Sequence, residues 1–134
     1  MKKIAIIIIL GCIGLLAFAQ DNSVKLRIDT SLQEMQNLYS ELPVKIDKDG
    51  DKYLFQEAEN SWIFYYFNED DLCNVQTHIY HKSFVTSLLK SLNSKDYLKL
   101  SNTEYLRIDY NRIVKFTIEV DLEYDVVVLL ATKE

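Results

Sequence analysis

A chain of 134 residues that is 49% hydrophobic and 12% aromatic, with three Gly and one Pro, has the substance of one packed domain. That composition excludes intrinsic disorder, collagen-like repeats and linker-rich material. With 15 basic against 20 acidic residues and no basic stripe, the charge argues against nucleic acid or an anionic bilayer as partner.

The first nineteen residues read as an export signal rather than as part of the fold. Lys2 and Lys3 form a basic n-region, Ile4 to Leu16 an apolar h-region, and Ala17-Phe18-Ala19 the small-x-small pattern read by signal peptidase, before polar Gln20-Asp21-Asn22. The apolar stretch is short and has no stop-transfer flank. A mature chain over 20–134 is therefore expected in the periplasm or outside the cell, without membrane insertion. Ile9-Leu10-Gly11-Cys12 also resembles a bacterial lipobox, so a lipoprotein anchored at Cys12 is the alternative. Leu10 before the Gly and the apolar continuation after Cys12 weigh against it. Loss of the leader leaves 13 basic and 20 acidic residues, a net charge of −7. Cys73 is then the one remaining cysteine, and no intramolecular disulfide is expected.

After a short lead over 20–28, Thr30 and Ser31 can each cap a helix, with Gln33 and Glu34 three residues on. Ile28, Leu32, Met35, Tyr39 and Leu42 follow at helical spacing, and Pro43 ends the run. Asp49-Gly50 then suits a two-residue hairpin turn, pairing Ile46 with Tyr53, Val44 with Phe55 and Asp47 with Lys52. Further strands are expected over Trp62–Phe67 and Cys73–Tyr80. Carrying that register forward puts Val44, Ile46, Tyr53, Phe55, Trp62, Phe64, Tyr66, Cys73, Val75 and Ile79 on the core face. A second helix over Ser83–Ser94 and strands over Thr103–Asp109, Ile113–Leu122 and Val126–Ala131 complete the chain.

The order is helix plus strands, twice, with pseudo-repeats over 29–81 and 82–134 that echo each other at an offset of about 52 residues (Ser31-Leu32 with Ser83-Phe84, Tyr53-Leu54 with Tyr105-Leu106). The expected fold class is α+β: tandem helix-plus-antiparallel-strand halves sharing one long, mostly antiparallel sheet, with two helices packed on one face. In organisation this resembles small exported inhibitor and envelope proteins built from tandem helix-plus-sheet units, such as the beta-lactamase inhibitor protein.

Catalytic chemistry finds little to work with. The Asp47–Asp51 run has its Gly fourth rather than sixth, and Ala58 stands where an EF-hand needs a Glu. Cys73, His78 and His81 are separated by odd intervals, so an unbroken strand points neighbouring pairs to opposite faces; buried Cys73 and two surface histidines are expected instead. No G-x-S-x-G elbow occurs, and one Gly in the mature chain cannot build a phosphate loop. No enzyme, metal or cofactor is expected.

The expected functional surface is the sheet face turned away from the helices. In the first half it is aromatic with hydrogen-bonding groups between: Ile63, Tyr65, Phe67, Gln76, His78 and Tyr80, with Leu72 and Asn74 beside them. In the second half it is Tyr105, Arg107, Asp109, Lys115, Thr117 and Glu119. A contiguous exposed apolar patch implies a contact. The chain is therefore expected to be a non-enzymatic binding module, inhibitor-, immunity- or envelope-accessory-like, recognising a protein or extended ligand there. The alternative is a structural homo-oligomer, a homodimer pairing through that face or through an edge strand Val126–Leu130, and the third reading, which no motif favours, is a small hydrolase using His78 or His81.

Overall fold

The computed structural model describes residues 26–40, 42–58, 61–109 and 111–134; the expected export signal over 1–19 and Cys12 lie outside the described residues. Helix α1 (Leu32–Leu38) is followed by strands β1 (Lys45–Ile46), β2 (Lys52–Ala58), β3 (Ser61–Phe67) and β4 (Cys73–His81). Helix α2 (Val85–Leu92) is followed by β5 (Leu98–Lys99), β6 (Glu104–Asp109), β7 (Arg112–Asp121) and β8 (Val126–Lys133). The eight strands form one antiparallel sheet in the order β1-β2-β3-β4-β8-β7-β6-β5. The chain is an α+β protein, and the order reads the same from either edge because the two meanders meet at β4 and β8.

Local chemistry explains the element ends. The Ser31 hydroxyl accepts the Glu34 backbone N–H at 3.1 Å, capping α1 as its position predicts. The helix stops at Leu38, short of Pro43, because Tyr39 has already left helical geometry. A 3-10 turn over Lys82–Phe84 leads into α2, with the His81 Nδ1 accepting the Ser83 backbone N–H at 3.1 Å. The two long hairpin turns are built alike. Asn68 Oδ1 accepts the N–H groups of Asp70 and Leu72, and Asp121 Oδ1 those of Glu123 and Tyr124. Each turn then ends on an aspartate at φ 56°, Asp71 or Asp125, a left-handed position that Asp tolerates.

One core lies between the sheet and both helices. Met35 of α1 and Leu88 and Leu92 of α2 join Leu54, Tyr65, Phe67, Tyr80, Tyr105, Val114, Phe116, Val127 and Leu129 in a single buried cluster. This overturns the expected facing of the first half. Tyr53, Phe55, Trp62, Phe64, Tyr66, Val75 and Ile79 lie on the side of the sheet that carries no helix among the described residues (the helix-free side), while Leu54, Tyr65, Phe67, Gln76, His78 and Tyr80 lie under the helices. The cause is the first turn. Ile46 pairs with Lys52 and Lys45 with Tyr53, so three residues, Lys48–Gly50, close the hairpin instead of two. Gly50 alone takes the positive φ, 85°, as in a type I turn with a following left-handed residue. An odd loop slips the register by one, and a slip of one flips the side chains of β2, β3 and most of β4.

A second irregularity acts on Cys73. Phe67 pairs with Cys73 but Tyr66 with Val75, leaving Asn74 as an extra residue in a β-bulge. The bulge turns Cys73 back to the helix side, where it is fully buried as expected, and where His78 also lies, contrary to the odd-interval argument. In the second half, Val114, Phe116 and Ile118 are buried as the alternation predicts, but Tyr105 and Arg107 pair with Phe116 and Val114 and so face the helices too. Strand β8 is internal, paired to β4 on one side and β7 on the other, which removes Val126–Leu130 as an edge for self-pairing.

Candidate functional site

The six residues expected to form the binding site, Ile63, Tyr65, Phe67, Gln76, His78 and Tyr80, are thus in or against the core. Tyr65, Phe67, Gln76, His78 and Tyr80 are buried, and Ile63 packs against the same cluster. Their polar atoms are used internally. The Arg27 backbone N–H donates to Gln76 Oε1 at 2.8 Å, which turns the Gln76 amide nitrogen toward His78 Nε2 at 3.1 Å. That assignment leaves the His78 proton on Nδ1, donated to the Tyr80 hydroxyl at 2.8 Å. Burial holds the His78 pKa down to about 4 and pushes the Tyr80 phenol above its ordinary value. Tyr65 stacks on Tyr39 at 5.9 Å and donates its hydroxyl to Gln56 Oε1 at 3.1 Å. Burial likewise raises the Cys73 thiol to about 12, so it is not a nucleophile at neutral pH. Together these groups make a satisfied polar seam inside the core.

The helix-free face of the sheet has the composition that the sequence predicts for a recognition surface, carried by different residues. Across β2 and β3, Tyr53 lies opposite Tyr66 and Phe55 opposite Phe64. The first pair stacks at 5.3 Å and 28°, and the second tilts at 4.8 Å and 35°. All four are partly exposed, while Trp62 at the end of the row is buried with Val126 in a small second cluster against Phe55, Phe64, Ile79 and Val128. Strands β4 and β8 continue the row inward with Val75, Thr77 and Leu130. The corresponding strand pair of the second half, β6 and β7, carries no aromatic residue on this face. There Lys115 pairs with Glu104 at 2.6 Å, among Leu106, Thr117 and Glu119. One scaffold used twice therefore presents an aromatic surface on one side and a mixed charged and aliphatic one, with Ile108 and Ile113 exposed, on the other.

A groove of about 650 Å³ opens at the end of the aromatic half. Its floor is Tyr66, Val75, Thr77 and Leu130, and its walls are the β1–β2 turn, with Asp47 and Asp51, and the β3–β4 turn, with Asn68 and Glu69. The bulge at Asn74 adds one more amide to the lining. Burial raises the Tyr66 phenol pKa, and the carboxylates of Asp47, Asp51 and Asp49, with the Tyr53 phenol, raise it further. Asp47 is itself fixed, its Oδ1 accepting the N–H groups of Asp49 at 2.9 Å and Asp51 at 3.0 Å. The sequence signal for this surface was the Trp62–Phe67 run, apolar on both faces; only the register said which face was which.

Among the described residues no helix is long and apolar enough to cross a membrane. Comparison with protein-family models, with curated proteins and with solved structures finds no match for this chain.

Proposed function

We propose that this chain is an exported, non-enzymatic binding module that recognises another protein through the helix-free face of its first half. The observation that supports the reading is the asymmetry of that face: Tyr53, Phe55, Phe64 and Tyr66 stand partly exposed on β2 and β3, whereas β6 and β7 carry no ring there, only an ion pair, a threonine and aliphatic side chains. Sheet stability alone does not call for aromatics on a face that no described helix covers, since the same face of β6 and β7 does without rings and carries an ion pair, a threonine and the aliphatic Leu106, Ile108 and Ile113. Rigid aromatic rings with adjacent amides supply contact area at small entropic cost, the composition of binding surfaces. An inhibitor, immunity or envelope-accessory role is consistent with this chemistry.

The test is site-directed photocrosslinking in the exporting cell, with Phe64 or Thr77 replaced by a benzoylphenylalanine probe and Gln36 on α1 replaced as the comparison. The reading expects a heterologous adduct of one mass from the sheet-face positions, absent from the helix position and lost in Tyr53→Ala/Tyr66→Ala. Adducts only of twice the chain's own mass would replace it with the homodimer. No adduct from either sheet-face position would overturn it.

A further inference from the structure

The groove at the aromatic end has a charge pattern that selects among protein partners. Its floor centres on Tyr66, stacked against Tyr53, and its rim carries Asp47, Asp51 and Glu69. Lys52 also lines it but is paired with Asp71 at 2.9 Å. The same face already holds a cation of the chain's own: Lys45 Nζ lies 5.8 Å from the Phe55 ring centroid, an ammonium over a ring face. A lysine or arginine side chain can lay its alkyl stem along the Tyr53–Tyr66 stack and bring its charged head between the two turns. A neutral or acidic segment seated there would desolvate those carboxylates without replacing the lost water, which is costly.

We propose that this groove seats a cationic side chain of a basic, extended segment of the partner protein. The proposal rests on the reading of the helix-free face as a protein-binding surface and adds the chemistry of what that surface selects.

The test is amide-shift mapping by NMR of the purified protein with a decalysine peptide, against decaglutamate and a Gly-Ser peptide of equal length. Decalysine is expected to move Gly50, Asp51, Tyr66 and Glu69 while leaving α1 and α2 in place, and the two other peptides to move none of them. Affinity should fall about tenfold in the variant Asp47→Asn/Asp51→Asn/Glu69→Gln, the scale of removing three charges from a partly screened site. Asn at 47 keeps an oxygen that can accept the turn N–H groups, so hairpin shifts should persist and report an intact turn. Shifts spread evenly over the acidic surface, equal affinity in the variant, or equal binding of the Gly-Ser peptide would each overturn the inference. Crosslinking from Phe64 separates this failure from that of the underlying reading. An unchanged heterologous adduct in the triple variant removes only the cationic selection, whereas loss of all adducts in the parent chain removes the surface itself.

Discussion

At the scale of single residues, His78 carries the clearest physical consequence. Its ring sits in the core, its Nε2 faces the donor end of Gln76, and its Nδ1 proton is already given to Tyr80. A second proton would have to go on Nε2, against an amide hydrogen and in an apolar surrounding, and the pKa drops from 6.5 to about 4. The sign follows from which state takes the proton first. As pH falls, the unfolded chain protonates this histidine near 6.5 while the folded chain does so only near 4. The stability it contributes is thus present above pH 6.5 and is lost progressively down to about pH 4, by roughly 3 kcal/mol at most. Denaturant midpoints measured across this range should fall more steeply for the parent chain than for His78→Gln. Identical slopes for parent and His78→Gln would show that His78 protonates freely and is not enclosed. The odd interval between His78 and His81 puts them on opposite faces, but which of the two meets the helices is set by the register slip, read only from the paired strands.

At the scale of elements, strand β3 is the place where sequence and structure part company. Ser-Trp-Ile-Phe-Tyr-Tyr-Phe is apolar on both faces, so alternation within the strand cannot say which side meets the helices. The facing had to come from the neighbouring hairpin, and Asp49-Gly50 is compatible with a two-residue or a three-residue loop. The three-residue form places Gly50 alone at φ 85°, and the choice inverts β2, β3 and most of β4 together. Where one face carries charge, as in β7 with Lys115, Thr117 and Glu119, the alternation assigned the core correctly. The inversion makes a direct stability prediction. Tyr65→Ala removes a ring that is 2% exposed and should cost about 3–5 kcal/mol, as other large-to-small core changes do. Phe64→Ala, one residue along the same strand on the helix-free side, should cost less than half as much, because its ring is already partly in water. Urea denaturation of both variants measures the difference, and equal losses would mean that both faces of β3 are equally enclosed.

At the scale of the whole molecule, the tandem layout was readable because it rests on element order rather than on facing. Helix, short strand and three longer strands recur, and the recurrence reaches the turns, where Asn68 with Asp71 and Asp121 with Asp125 repeat the same capped geometry. The offset of 52 residues that aligns Tyr53 with Tyr105 nevertheless pairs residues on opposite faces, since Tyr53 is on the helix-free side and Tyr105 in the core. Two similar halves could be two domains or one, and the packing decides. Strands β4 and β8 pair from Val75 with Thr132 to His81 with Val126, and side chains of both helices enter the same buried cluster. Neither half has a core it does not share, so separating them would expose Tyr80, Val127 and Leu129 and leave the inner edges of β4 and β8 unpaired. Unfolding should accordingly be one cooperative transition despite the internal repeat. Trp62, the single tryptophan, reports the first half by fluorescence. A fluorinated tyrosine at position 105 reports the second by NMR. Their urea midpoints should coincide with each other and with the loss of far-ultraviolet circular dichroism. A first-half transition displaced from the second would show that the two meanders fold as separate units, and that the β4–β8 seam joins them without coupling them.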